Sequence, residues 1–187
     1  MQFTIRKAEL SDRLAIESLI AASVAGLSQG DYTQRQIELS IRSVFGVDTE
    51  LITDGTYLVA ENVDGRIIGC GGWSKRRTLF GASRYQASRD SQELDPAKEA
   101  AKIRAFFIHP DYARQGVGTA ILELCESEAK AHGFRAAEMM ATLPGVRLYK
   151  SRGYEGSEEF PVPVGDGESI ICVRMRKELI QSLAESK

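Results

Sequence analysis

The chain has 187 residues, 43% of them hydrophobic and 27% charged, with a formal net charge of -2. That length supplies one good core and is short for two, and the balance is that of a globular chain rather than a disordered or collagenous one. The near-neutral charge gives no basic field, so neither nucleic acid nor a membrane surface is expected as a partner.

The opening residues, MQFTIRKAEL, lack the apolar core of a signal peptide, and no apolar run in the chain approaches membrane-spanning length. Residues 3–6 alternate as a short strand. Ser11 is placed to cap a helix, with Asp12 favourable in its first turn. Ile16, Leu19, Ile20, Val24 and Leu27 make its apolar stripe, and Gly26 and Gly30 end it. Thr33-Gln34-Arg35-Gln36 fits a capping box and opens a second amphipathic helix through Ile37, Ile41, Val44 and Phe45, stopped near Gly46. Both apolar faces read as core, and the link over residues 28–33 is the part expected to reach a site. Residues 57–61 and 66–73 are two strands joined through Asp64-Gly65, a hairpin turn. Gly69, Gly71 and Gly72 are unusually many for a strand interior; close approach of a ligand or a neighbouring backbone explains them as well as a bulge or kink does. Trp73 either walls a pocket or sits in the core with its N–H satisfied. Residues 76–102 are polar and longer than an ordinary connection. They read as a solvated excursion, ahead of a lid over a substrate or an arm that makes a homodimer, and Leu94-Asp95-Pro96 starts the return to the sheet.

Residues 104–133 organise the rest. The apolar run 105–108 is closed by Pro110, a glycine-bearing loop follows over 113–118, and Val117, Ile121, Leu124 and Cys125 then recur at helical spacing until Gly133. Strand, glycine turn and helix aim backbone N–H groups and the positive end of a helix dipole at an anion. Gly116 and Gly118 have no Cβ, so a phosphate can approach the backbone there. The Gly-Lys-Ser/Thr ending of a P-loop is missing. So is the third glycine of a dinucleotide fingerprint, since Gly116-Val117-Gly118 is followed by Thr119, Ala120 and Ile121. Residues 135–141 form the next strand, parallel to 104–109, with the helix as crossover. Pro144 suits the first turn of a short helix and Gly153 its cap; residues 154–160 and 169–175 then form a hairpin around Gly165-Asp166-Gly167. One domain over residues 1–176 and a polar tail over 177–187 follow. Cys70, Cys125 and Cys172 are odd in number, with no C-x-x-C. They read as buried small hydrophobes in a reducing, cytoplasmic setting, and Cys125 lies mid-helix without the surroundings of a nucleophile.

The stretch FFIHPDYARQGVGTAIL resembles motif A of the GCN5-related N-acetyltransferase superfamily, Q/R-x-x-G-x-G/A after a strand. Ala113-Arg114-Gln115-Gly116-Val117-Gly118 matches at both glycines and has alanine where Gln or Arg is usual. Residues 143–154, LPGVRLYKSRGY, resemble motif B, a short helix that carries a tyrosine and ends in Arg-Gly-Tyr or Arg-Gly-Phe. They depart at Arg147, where a small residue or asparagine often contacts CoA. The resemblance is specific over residues 105–154 and general over 1–73. It implies an α/β fold, a single-domain mixed sheet flanked by helices, whose parallel central strands splay to admit the pantetheine arm.

The implied reaction is direct acetyl transfer from acetyl-CoA, the co-substrate, to an amine of a small molecule or peptide. The backbone of Phe106, Phe107 and Ile108 would pair with pantetheine and polarise the thioester carbonyl. The amides of Arg114, Gln115, Gly116, Val117, Gly118 and Thr119 would hold the pyrophosphate, with charge added by the Arg114 side chain. Lys150 and Arg152 either serve that region or are solvated. Tyr149 is the catalytic residue the motif implies, protonating the departing thiolate; reference pKa values of about 8.5 and about 10 make that transfer feasible in a desolvated site. Where several family members place a glutamate base, this chain has Arg104. Glu61, Glu138 and His109 are base candidates by position and a water chain would also serve, so no base is assigned. His109 and His132 lack partner ligands, so no metal is expected. The rival reading is a non-catalytic acyl-CoA-binding or sensor module; Tyr149 argues against it and the missing base for it.

Overall fold

The structure, a computed structural model, describes residues 2–180. The alternating and apolar segments become seven strands of one sheet: β1 (Phe3–Lys7), β2 (Tyr57–Asn62), β3 (Ile67–Ser74), β4 (Ala101–Ile108), β5 (Ala136–Thr142), β6 (Glu155–Gly165) and β7 (Glu168–Glu178). Their order is β1-β2-β3-β4-β5-β7-β6, and neighbours are antiparallel except β4 and β5. Those two pair only at Ala101–Ala137 and Lys102–Glu138 and then part, the splayed parallel pair that the family resemblance implies. The closed end is pinned by a buried ion pair between Lys102 and Glu138, and Arg174 on β7 donates to the second carboxylate oxygen at 2.7 Å.

Helices α1 (Arg13–Leu27), α2 (Gln34–Ser43) and α3 (Thr49–Thr53) cover one face of the sheet; α4 (Val117–Ala131) and α5 (Leu143–Ser151) cover the other. The capping box forms at α2, where Gln36 N–H donates to Thr33 Oγ1 at 3.2 Å and Thr33 N–H to Gln36 Oε1 at 2.9 Å. Ser11 does not cap α1. Residues Leu10–Asp12 instead make a 3-10 turn before it, and Asp12 Oδ2 accepts from Glu9 N–H at 2.8 Å. Gly26 does not end α1 either. It lies inside the helix, where an added Cβ would fall 2.4 Å from Pro110 Cγ, so its absence lets the loop after β4 pack closely. The five-residue α3 is too short for periodicity to reveal, and Asp48 caps it through Glu50 N–H at 3.2 Å.

The polar connection is not the solvated excursion expected. It doubles back on itself, with Leu94 N–H donating to Lys75 O at 2.7 Å, Arg77 N–H to Gln92 O at 2.9 Å and Thr78 N–H to Asp90 O at 2.8 Å. Its tip docks on the end of α2: Ala82 N–H donates to Val44 O at 2.8 Å, and the Arg84 guanidinium donates to the carbonyls of Ile41 and Phe45. At the C-terminus, residues 177 and 178 continue β7 where the polar tail is expected to begin. The remaining tail from residue 181 lies outside the described residues. Among the described residues, no helix is long and apolar enough to cross a membrane.

Candidate active site

The parting of β4 and β5 opens a cavity of about 870 Å³ that runs from one face of the sheet to the other. At one end lies the glycine loop. Arg114 (φ 59) and Gly116 (φ 87) are both left-handed, a conformation that curls successive N–H groups around an anion. Gly116 caps α4, and the first helical bond runs from Ala120 N–H to Gly116 O at 3.0 Å. The amides of Val117, Gly118 and Thr119 therefore have no acceptor in the helix. A Cβ on Gly116 would meet nothing within 4 Å, so that side is open space. Arg114 and Arg147 line the cavity, exposed, with no ion-pair partner among the described residues. Free amides, an open glycine and two uncommitted guanidiniums fit a pyrophosphate. Of the loop residues named from the sequence, Arg114, Gly116, Gly118 and Thr119 line the cavity. Gln115 does not; its side-chain amide turns back to Asp111 O at 2.8 Å. Val117 does not either, being a core residue.

Along the cavity wall, β4 carries a bulge. Cys70 pairs with Phe107 and Gly72 with Arg104, so Gly71 alone faces both Ala105 and Phe106. Ala105 is held at φ 57, a strained value for a residue with a Cβ. Its carbonyl accepts from the buried Tyr57 hydroxyl at 3.3 Å and the Cys70 thiol at 3.6 Å. In a planar trans peptide the C=O and the following N–H point oppositely, so the Phe106 N–H is aimed away from those two side chains. The Ile108 N–H is already engaged, donating to Ser23 Oγ on α1 at 3.2 Å. Phe106, Phe107 and Ile108 all line the cavity. The glycines of β3 make room for side chains rather than for a ligand: a Cβ on Gly71 would sit 2.3 Å from the Phe106 ring, and one on Gly69 would sit 2.8 Å from Val117. Trp73 is core, its Nε1–H donating to Glu128 at 2.8 Å.

Tyr149 reaches the same stretch from α5, whose start is fixed by Pro144 in the first turn. Its ring meets the edge of Phe106, with centroids 6.1 Å apart. Burial pushes its hydroxyl well above the ordinary tyrosine pKa, with Cys125 adding to the rise, and no described residue hydrogen-bonds it. Tyr149 is thus a neutral acid with its proton uncommitted. Tyr32, which the sequence does not single out, donates to Ile171 O at 2.6 Å and accepts from Leu143 N–H at 2.9 Å, tying the α1–α2 link to the start of α5.

None of the base candidates lines the cavity. Glu61 pairs with Arg6 at 2.6 Å, Glu138 with Lys102 and Arg174, and His109 Nε2 faces Arg66 at 2.8 Å. The Arg104 side chain is buried between Asp48 at 3.2 Å and Glu50 at 2.7 Å, and Arg89 reaches the same two carboxylates at 3.6 and 3.2 Å. Burial raises the Asp48 pKa against the pull of the two guanidiniums. This cluster is neutral overall and structural. Lys150 is exposed, and Arg152 pairs with Glu123 at 3.3 Å. Cys125 is fully buried, and burial pushes its thiol up, the opposite of a nucleophile.

The family model of the acetyltransferase (GNAT) family matches residues 25–154. The chain belongs to that family, and its membership makes it an N-acetyltransferase. Among solved structures, a GCN5-related N-acetyltransferase from Rhodopseudomonas palustris is similar over 95% of this chain and 96% of its own, with a TM-score of 0.70 at 19% identity. PaiA N-acetyltransferase from Thermoplasma acidophilum, in complex with coenzyme A, is similar over 95% and 99%, with a TM-score of 0.63 at 17% identity. A phosphinothricin acetyltransferase from Sinorhizobium meliloti, in complex with acetyl-CoA, is similar over 99% and 92%, with a TM-score of 0.64 at 19% identity. No curated protein sequence matches the chain.

Proposed function

We propose that the protein transfers the acetyl group of acetyl-CoA directly to an amine of a small molecule or peptide. The observation that carries this reading is the single cavity, which joins an anion cradle on one face to a separate chamber on the other and passes Tyr149 between them. The CoA and acetyl-CoA complexes of the two similar enzymes support acetyl-CoA as the co-substrate. The co-substrate supplies the activated acetyl group as a thioester; the protein holds, orients and moves protons.

The amides of residues 117–119 and the Arg114 side chain hold the pyrophosphate. Arg147 adds a second cation in place of the usual small residue or asparagine. The Phe106 N–H stabilises charge developing on the thioester oxygen. As the C–N bond forms and the C–S bond breaks, Tyr149 gives its proton to the departing sulfur. The proton shed by the amine returns to Tyr149 through water, so the tyrosine ends as it began. No lining carboxylate is needed as base, because an ammonium of pKa about 10.4 loses its proton more easily once an apolar chamber desolvates it. The three cysteines are unpaired and buried, which supports a cytoplasmic setting.

The test is acetyl transfer from acetyl-CoA across polyamines, amino acids, aminoglycosides, arylalkylamines and peptides, with products read by mass spectrometry. Acetylated product above the protein-free control is the expected result. Tight acetyl-CoA binding by calorimetry with no product from any class would favour the sensor reading instead.

A further inference from the structure

The two halves of the cavity differ in chemistry. The far chamber lies on the face covered by α1 and α2 and is walled by Leu27, Val44, Phe45, Phe80, Phe107 and Met140. Phe45 and Phe107 meet edge to face, with centroids 5.6 Å apart, so the wall already presents aromatic faces and edges to a guest. Two ionisable side chains line this half, Arg104 and Asp31. Arg104 has no charge to spare. Its side chain is 1% exposed and closed off by Asp48 and Glu50. Arg84, close by at Gly46, turns one guanidinium nitrogen to the carbonyls of Ile41 and Phe45 and does not line the cavity. Asp31 is different: it is exposed at the rim, and its side chain makes no hydrogen bond or ion pair among the described residues. Beside the polar Ser28 and Gln29 of the α1–α2 link, the chamber therefore offers apolar and aromatic walls, one unspent negative charge and, among its described lining residues, no unspent positive one.

We infer that the acceptor is an amine on an apolar, aromatic-sized body that carries no carboxylate or phosphate, an arylalkylamine in chemical class. The inference rests on the acetyl-transfer reading for what happens to the amine, but not for what the chamber binds. An ammonium is drawn to the rim by Asp31, and its apolar body fills the chamber and displaces water. Desolvation then favours the neutral, nucleophilic form beside the thioester. A carboxylate on the same skeleton would enter the chamber with no cation to meet it, a costly burial.

The experiment compares three amines under one saturating acetyl-CoA concentration: 2-phenylethylamine, L-phenylalanine, which adds only a carboxylate, and ethanolamine, which lacks the apolar body. The expected kcat/KM for phenylethylamine exceeds each of the others by at least about tenfold. Asp31→Asn is expected to raise the KM for phenylethylamine several-fold and to narrow its advantage over phenylalanine. Equal or better turnover of phenylalanine, or of ethanolamine, would overturn the inference. Binding of the three amines to the protein with CoA is measured by calorimetry in parallel. Phenylethylamine bound but not acetylated would retire the acetyl-transfer reading and uphold the chamber's selectivity. Phenylethylamine neither bound nor acetylated would overturn the selectivity itself.

Discussion

At the scale of single residues, the site depends on peptide and ring orientations that neighbouring side chains impose. Gly71 leaves space for the Phe106 ring, the ring meets Tyr149, and Tyr57 with Cys70 holds the Ala105 carbonyl so that the Phe106 N–H faces the other way. Replacing Tyr149 by Phe keeps the ring and removes the proton. The expected result is a fall in kcat of about 10²-fold or more, with acetyl-CoA affinity by calorimetry changed only slightly. An unchanged kcat would remove Tyr149 from the chemistry. Tyr57→Phe is a subtler change, since the hydroxyl touches no reacting atom. It is expected to lower kcat by about tenfold at nearly constant KM, because the oxyanion donor is then less firmly oriented. A rise in KM alone would show that Tyr57 serves packing only.

At the scale of elements, the glycine loop, α4 and the tyrosine on α5 were legible in the sequence because each is local: the turn, cap and stripe lie within a few residues of one another. The capping box of α2 was legible for the same reason. Thr33→Ala is expected to cost about 1 kcal/mol, read as a lowered Tm. Ser23, Tyr32 and the tip at residues 79–82 were not legible, because their partners are distant in sequence. Tyr32 meets Ile171 139 positions away, and Ser23 meets Ile108 85 positions away. The polar composition of residues 76–102 misled in a physical way. Its backbone makes a ladder of its own, and Arg76 and Arg89 reach the Asp54, Asp48 and Glu50 carboxylates instead of facing only water. Arg104 follows the same rule inside a strand, buried by acids on α3 and its cap. Asp48→Ala would leave Arg104 short of a partner in a buried setting and is expected to cost about 3–5 kcal/mol. Chemical denaturation of the variant checks this, and a loss below about 1 kcal/mol would show the cluster to be dispensable.

At the scale of the whole molecule, two sets of ionisable groups bound the pH range of stability. Arg6 holds Asp12, and Arg76 holds Asp54, below the usual carboxylate range. Their folded pKa values are depressed, so they contribute stability above a pH of about 4 and lose it as the pH falls through the folded values. Burial raises Tyr32, Tyr57, Tyr149 and Tyr154 above the ordinary tyrosine value. Their contribution is complete below a pH of about 10 and is lost as the pH climbs toward the folded values. A melting temperature that is level near neutrality and falls at both extremes is expected. A decline beginning near pH 7 would point to groups other than these.

The cavity that crosses the open sheet has room for the proposed donor and acceptor together, and the buried, unreactive setting of Cys125 leaves it no role in a covalent relay. We propose direct transfer within a ternary complex. Initial rates measured against both acetyl-CoA and an accepted amine, with the intact mass of the protein recorded after acetyl-CoA alone, test it most directly. Intersecting double-reciprocal lines and an unmodified protein mass are the predicted result. Parallel lines together with an acetylated protein would contradict it.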